Sequence, residues 1–263
     1  ATGIGNMSSF TANNTGTTPI VGTISVTPKA TNAQLTCIGT QITFPITINP
    51  IPNVNAVGSQ VVCNNTSTTA IDFTSLVPNT DFSWTNSNTA INLAASNTND
   101  IAAFVATNAT NAPITGNISV TPTFTNAGGF CDGPPTTFSI TVNPTPTVSP
   151  ISNQNVCVGD QIAAVNFSSA NNVASTIYNW TSSNTTVLPN IGPGNIPAST
   201  SNYTGTSPIT STVTVTPQVI LGGVTCNGPQ QSFTITLNPV PTVNNPTDLA
   251  LCHNDNSGLI TFS

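Results

Sequence analysis

The sequence predicts an all-β chain made of tandem β-sandwich domains. Three observations carry the prediction. The first is composition: Thr occurs 48 times and Asn 36 times among 263 residues, and Glu and Arg are absent. Thr, Val and Ile fit a pleated sheet, while Asn, Gly and Pro fit its turns. The second is strict alternation in Phe44-x-Ile46-x-Ile48, Phe138-x-Ile140-x-Val142 and Phe233-x-Ile235-x-Leu237. Apolar side chains at every second position mark strands with one buried face. The third is a period of 94 to 95 residues, read from the spacings Cys37–Cys131–Cys226 and Cys63–Cys157–Cys252.

Other positions keep that period. Asn49-Pro50-Ile51-Pro52 returns as Asn143-Pro144-Thr145-Pro146 and as Asn238-Pro239-Val240-Pro241. Thr27-Pro28, Thr121-Pro122 and Thr216-Pro217 follow it, as do Pro19, Pro113 and Pro208. Proline fixes φ and removes a backbone donor, so the prolines at 50, 52, 144, 146, 239 and 241 read as joints that stop one strand and stiffen a short linker. The expected domains are 1–49, the end of one repeat; 50–143 and 144–238, two complete repeats; and 239–263, the start of another. On this reading the chain is a window on a longer array.

The elements within a repeat follow in order. Ile71-x-Phe73 and Val165-x-Phe167 open it, and Phe82-x-Trp84 and Tyr178-x-Trp180 come next. Residues 101–106 read as a further strand. Ile118-x-Val120 and Val213-x-Val215 precede the strand that ends at the joint. Between those last two lie Cys37-Ile38-Gly39, Cys131-Asp132-Gly133 and Cys226-Asn227-Gly228. Asp-Gly and Asn-Gly are strong turn dipeptides, so a hairpin with its cysteine at or near the tip is expected. About seven short strands per repeat is the number of an immunoglobulin-like sandwich. A repeat of this length buries its own core, so the expected array is a string of separate domains. Trp84, Trp180, Phe73, Phe167, Phe138 and Phe233 are the expected core aromatics.

Six evenly placed cysteines point to an oxidising compartment. Metal binding lacks ligands, because there is no C-x-x-C and His253 is the only histidine. Two connectivities are open. One pairs Cys63 with Cys131 and Cys157 with Cys226 inside each complete repeat, leaving Cys37 and Cys252 to partners outside the window. The other pairs Cys37 with Cys63, Cys131 with Cys157 and Cys226 with Cys252 across the joints. The first is expected. A hairpin tip at the amino-terminal pole lies about 27 Å, one eight-residue strand, from a cysteine just beyond the joint, and bridged Cα atoms lie within about 7 Å.

Composition excludes several functions. Nucleic-acid binding needs cations, and Lys29 is the only Lys or Arg. A polybasic membrane patch fails for the same reason, and no apolar run reaches the ~20 residues of a spanning helix.

The residues also resemble a known group. Phe-Ser-Ile-Thr-Val-Asn-Pro-Thr-Pro-Thr-Val at 138–148, Asn155-Val156-Cys157-Val158-Gly159 and Tyr178-Asn179-Trp180 carry the likeness. Ala112-Pro113-Ile114, Val120-Thr121-Pro122 and Gly222-Gly223-Val224-Thr225-Cys226-Asn227-Gly228 extend it. Across essentially the whole chain the sequence resembles the PKD-like, immunoglobulin-like tandem repeats of giant Bacteroidota surface proteins. These include gliding-motility adhesins exported by the type 9 secretion system. The resemblance implies an extended, exported cell-surface fibre and transfers no catalytic residue. Trp84-Thr85-Asn86 and Trp180-Thr181-Ser182 depart from the Trp-Asp-Phe-Gly-Asp-Gly pattern of many PKD domains, so the likeness is to PKD-like repeats only.

Other chemistry reads as bland. His253 near Asp248 and Asp255 is expected to be an exposed loop residue, since Val158 and Asn64 occupy its place elsewhere. The seven aspartates avoid the joints at 49–55 and 143–150, which disfavours calcium-stiffened linkers. Trp84 and Trp180 are expected in the core and not as sugar platforms. Lys29 is expected at the surface, with Thr123 and Gln218 as counterparts. Asn-x-Ser/Thr sequons such as Asn117-Ile118-Ser119 and Asn179-Trp180-Thr181 are plentiful in a chain so rich in Asn and Thr. Sheet edges without guarding charges suggest side-by-side association that salt changes little.

The expected role is a disulfide-stapled adhesin shaft that projects a distal binding region and bears load, at the cell surface. It uses no catalytic residue, cofactor or metal. Its expected partners are other repeats of the same chain, copies of itself alongside, and surface polysaccharide or other cells through regions outside the window. The alternatives are a carbohydrate- or protein-binding module, with 190–203 (Gly192-Pro193-Gly194 and Tyr203) as the loop that departs most from its counterpart, and the accessory region of a secreted hydrolase.

Overall fold

The computed structural model describes residues 3–126 and 129–262. Residues 1–2 of the expected first segment and residue 263 of the expected last lie outside the described residues, as do 127–128. The chain divides into two compact units, Ala1–Pro144 and Thr145–Ser263. The division falls inside Asn143-Pro144-Thr145-Pro146.

The first unit begins with β1 (Ile20–Val26), β2 (Lys29–Asn32), β3 (Leu35–Ile38) and β4 (Ile42–Ile48). β1 pairs antiparallel with β4, and β2 with β3. The complete sandwich follows as β5 (Gln60–Cys63), β6 (Thr66–Ser67), β7 (Thr80–Asn86), β8 (Ser96–Thr98), β9 (Val105–Ala106), β10 (Ile114–Asn126), β11 (Gly129–Asp132) and β12 (Thr136–Asn143). One sheet has the order β5-β12-β10-β7-β8, with β11 also on β10. The facing layer is β6 with β9, extended by the bridge between Ile71 and Ile101.

The second unit repeats this plan with β13 (Gln154–Cys157), β14 (Gln161–Ile162), β15 (Ile177–Ser182), β16 (Ile191–Pro193), β17 (Ser199–Thr200), β18 (Ile209–Leu221), β19 (Val224–Asn227) and β20 (Gln231–Asn238). Its main sheet runs β13-β20-β18-β15-β16, and β14 pairs with β17 opposite. Both units are immunoglobulin-like β-sandwiches. Their cores lie between the two layers. Trp84, Ile91, Ile118, Val120, Ile140 and Val142 fill the first. Trp180, Leu188, Val213, Val215, Phe233 and Ile235 fill the second.

Outward positions are tied by hydroxyl pairs. Thr115 and Thr141 meet at 2.9 Å across β10 and β12, and Thr210 and Thr236 meet at 2.9 Å across β18 and β20. Cross-strand Thr pairs stabilise a sheet without charge. The edge strands β8 and β16 are three residues long, and β5 and β13 are four. Short edges blunt strand addition as charged edges do. Shortness therefore supplies a guard that the composition lacks.

The turn after β10 corrects the sequence reading. Asp132-Gly133 is not the hairpin tip. β10 continues through Thr121-Pro122 to Asn126 and returns at Gly129, so Cys131 lies inside β11, facing Phe124. In the second unit the tip is Gly222-Gly223, both at positive φ, between Leu221 and Val224. Two such residues make the mirror-image turn that suits a two-residue hairpin. Cys226 follows within β19, facing Val219. Asp132 faces Thr123 while Thr136 faces Val120, so the returning strand carries one extra residue. Gly133-Pro134-Pro135 is that bulge. A proline pair cannot donate to a ladder, so the strand must break there.

Candidate functional site

The residues expected to matter are the cysteines, the joint prolines and the core aromatics. Each sandwich holds its two cysteines at opposite poles. β5 runs parallel to β12, with Val62 facing Val142 and Cys63 facing Asn143. Val142 also faces Ile114 on β10. Cys131 faces Phe124 on the same strand. Ile114 and Phe124 are ten positions apart, about 34 Å along a strand. Cys63 lies one step further out again. The second unit repeats the arrangement: Leu237 faces both Val156 and Ile209, and Cys226 faces Val219.

This geometry overturns the expected bridges. Cys63–Cys131 and Cys157–Cys226 would each have to span the length of a sandwich, against a limit of about 7 Å between bridged Cα atoms. Cys63 and Cys226 are each disulfide-bonded. Cys131 and Cys157 are free thiols, as are Cys37 and Cys252. The bridges Cys37–Cys63, Cys131–Cys157 and Cys226–Cys252 are absent for the same reason. β5, a strand the sequence reading does not include, pairs parallel to the last strand and carries Cys63 to the carboxyl-terminal pole, away from the hairpin cysteine.

The amino-terminal pole is built on glycine. The Gly133 amide donates to the Pro122 carbonyl at 2.9 Å, and Gly228 donates to Pro217 at 2.8 Å. A Cβ on Gly133 would land on the Pro52 carbonyl, and one on Gly228 would land on the Pro146 carbonyl. The bulge that follows the cysteine strand thus packs directly on the incoming joint. Pro50, Pro52 and Pro146 are buried, while Pro239 is half-buried and Pro241 exposed. The glycines were visible at the repeat spacing as Gly39, Gly133 and Gly228, but turn chemistry masked their packing role.

Trp84 and Trp180 lie on β7 and β15 at 3% and 5% exposure, so neither ring offers a face for sugar stacking. Trp84 Nε1 donates to the Asn99 carbonyl at 3.1 Å, and Trp180 Nε1 donates to Gly194 at 3.1 Å. Phe73, Phe138 and Phe233 are buried, and Phe167 packs half-buried against the second core. Phe73 contacts Phe82 and Phe138, with ring centroids 5.7 Å and 6.3 Å apart. Phe167 contacts Tyr178 at 5.5 Å. Burial raises the Tyr178 phenol above its usual pKa.

Segment 190–203 differs in sequence but not in structural role. Gly192 presses on the indole of Trp180, where any side chain would collide with the ring. The Gly194 amide donates to the Tyr178 carbonyl at 2.8 Å. Tyr203 packs against the core, and its hydroxyl donates to the Ser207 carbonyl at 2.7 Å. One repeat earlier, Asn108 Nδ2 donates to Ala112 at 2.8 Å, a bond to the equivalent carbonyl. Likewise Asp100 Oδ1 accepts from the Phe73 amide at 2.7 Å, and Asn195 Oδ1 accepts from the Phe167 amide at 2.9 Å.

Among the described residues no group of three or more His, Cys, Asp or Glu side chains is placed to hold a metal ion. His253 and Lys29 are exposed. Asp255 Oδ2 accepts from the Cys252 amide at 2.7 Å within a local turn. No helix among the described residues is long and apolar enough to cross a membrane.

The sequence matches no protein-family model and no curated protein. Solved structures with a similar arrangement of strands are known. The first two domains of human mucin-like protocadherin share 13% identity, with 73% of this chain and 98% of that one covered and a TM-score of 0.34. Three N-terminal domains of the bacteriophage RB49 highly immunogenic outer capsid protein share 12% identity over 84% of this chain and 80% of that one, with a TM-score of 0.37. A SusE-like surface-located polysaccharide-binding protein of the Bacteroides thetaiotaomicron heparin utilisation locus shares 12% identity over 73% and 35%, with a TM-score of 0.26.

Proposed function

We propose that the chain is a length of load-bearing shaft from a repetitive cell-surface adhesin, holding a distal binding region away from the cell. One observation carries the reading. Where the two sandwiches differ most in sequence, they make the same internal bonds. Asn108 and Tyr203 tie equivalent carbonyls, and Asp100 and Asn195 tie equivalent amides. A binding module diverts a loop from such duties, whereas a shaft keeps its repeats mechanically alike. The disulfide-bonded Cys63 and Cys226 support an oxidising, extracellular location. The resemblance to gliding-motility adhesin repeats supports export and surface attachment.

Single-molecule pulling of the chain under reducing conditions tests this reading. Two unfolding events of equal length are expected, each releasing about 300 Å for a repeat of ~90 residues. Unequal, low-force extension would overturn the shaft. So would specific binding to a glycan or peptide array that changes in one sandwich alone abolish, which would establish a binding module.

A further inference from the structure

The first strand of each sandwich lies parallel to the last. β5 runs beside β12, with Gln60 facing Ile140 and Cys63 facing Asn143. β13 runs beside β20, with Gln154 facing Ile235 and Cys157 facing Asn238. The pairing decides how each sandwich meets a pull on its own two ends. Tension reaches β5 at Gln60 and draws it toward the amino-terminal pole. Tension leaves β12 at Asn143 and draws it toward the carboxyl-terminal pole. The two strands are therefore pulled past each other along their length. The evenly spaced bonds of a parallel ladder then share the load together. An antiparallel first and last strand would bring both chain ends to one pole and open bond by bond.

Side chains fasten the same pair. Gln60 Nε2 donates to the Thr69 carbonyl at 3.0 Å, and Gln60 Oε1 accepts from the Thr69 amide at 3.0 Å. One repeat on, Gln154 makes the same two bonds to Ala163, at 3.0 and 2.8 Å. A primary amide carries donor and acceptor side by side, as a backbone unit does. The glutamine thus stands in for a strand residue and ties the first strand to the facing layer. Upstream, Ser59 Oγ accepts from the Ser139 amide at 3.1 Å, and Asn153 Oδ1 accepts from the Thr234 amide at 2.8 Å. Downstream, the Asn64 amide donates to the Asn143 carbonyl at 2.9 Å, and the Val158 amide donates to Asn238 at 2.9 Å.

We propose that this parallel pair is the mechanical clamp of each sandwich, with Gln60 and Gln154 as its pins. The proposal rests on the shaft reading and names the element that bears the load. Sliding β5 out of the first sandwich breaks its ladder to β12 and the two Gln60 bonds to Thr69 in one step. Within the ladder, alternate residues of β5 bond to β12. The Asn64 bond to Asn143 places Val62 and Gln60 in the bonded set and Val61 outside it.

Constant-force pulling of the intact chain tests the clamp, with dithiothreitol present to reduce the bonded Cys63 and Cys226. Gln60→Leu takes the residue found at the matching position, Leu249, and removes the pin while leaving the ladder. One of the two unfolding events should shorten roughly tenfold in lifetime, the loss expected when one or two net hydrogen bonds leave a barrier. The other event should keep its lifetime, and Gln154→Leu should reverse which of the two is affected. Val62→Pro deletes a ladder donor and should shorten the first sandwich's event further. Val61→Pro should stay within about threefold of the parent, because an edge strand tolerates proline where its N–H faces away from the ladder. Unchanged lifetimes in both glutamine variants would overturn the proposal, as would equal shortening by Val61→Pro and Val62→Pro. The glutamine variants carry the test alone if Val62→Pro does not fold. The shaft reading is judged on the parent chain, whose two equal steps uphold it even where the clamp is overturned.

Discussion

The hydroxyls of Ser182 and Ser211 lie 2.7 Å apart inside the second sandwich, where the first places Asn86 and Gly116. Ser211 is fully buried and Ser182 is 4% exposed. In the first sandwich Asn86 Nδ2 donates to the Asn88 and Leu93 carbonyls at 3.0 and 3.1 Å. The longer amide fills the room that two hydroxyls fill in the second. Gly116 is what permits this, since a Cβ there would run into Asn86 Oδ1 and Ile91 Cδ1.

Gly116→Ser alone should therefore overpack the first sandwich and cost roughly 1–3 kcal/mol. Adding Asn86→Ser should recover most of that loss, because the pair recreates the arrangement of the second unit. Urea unfolding of the three variants gives the coupling, expected at about 1–2 kcal/mol. Simple additivity would mean that the two sites do not share this space.

The bulge glycines give a sharper contrast. Gly133→Ala and Gly228→Ala place a methyl on a backbone carbonyl, of Pro52 and Pro146 respectively. No rotamer change relieves a clash with backbone, so each should destabilise its unit by roughly 2–3 kcal/mol. Gly129→Ala, whose Cβ meets nothing within 4 Å, should stay within about 0.5 kcal/mol of the parent. Thermal unfolding compares the three.

Much of this architecture is legible in the sequence. Alternation at Phe138-x-Ile140-x-Val142 marks β12, and the period places its copy at β20. Periodicity reports the face a residue occupies, and that fixes the sheets. It does not report strand direction. Nothing in Gln60-Val61-Val62-Cys63 distinguishes a parallel partner from an antiparallel one, yet that choice moves Cys63 from one pole to the other. The hairpin was misplaced for a related reason. Asn-Gly and Asp-Gly are strong turn signals, but in these repeats the glycine serves a bulge packed on proline.

The first hairpin also carries a local cost that its counterpart avoids. Ala33 and Gln34 hold φ of 43° and 73° between Asn32 and Leu35, where the second unit has Gly222 and Gly223. A side chain in that region costs about 1–2 kcal/mol per residue. Replacing Ala33-Gln34 by Asn-Gly should strengthen the β2–β3 pairing by roughly that amount. Slower hydrogen exchange at the Ala30 and Cys37 amides, which form a hydrogen-bonded pair of this ladder, would report it, and unchanged exchange would show that the turn does not limit opening.

The last expectation concerns alkaline pH, where the two sandwiches should part company. Tyr178 occupies the position of Phe82 in the first unit, two residues before the core tryptophan. Burial raises its phenol above the ordinary value of 10.0. The folded state therefore holds the proton more tightly than the unfolded chain does. The stability from this difference is fully present below about pH 10 and is lost as pH climbs through the higher folded value. The second unit should then lose stability above pH 10 faster than the first. Tyr178→Phe should cancel that extra slope and leave the neutral-pH midpoint little changed, because the hydroxyl adds little to the packing of the ring on Phe167. Denaturant midpoints of the two transitions between pH 8 and 12 make the comparison. An identical slope in parent and variant would mean that the Tyr178 hydroxyl meets water as freely in the folded chain as in the unfolded one.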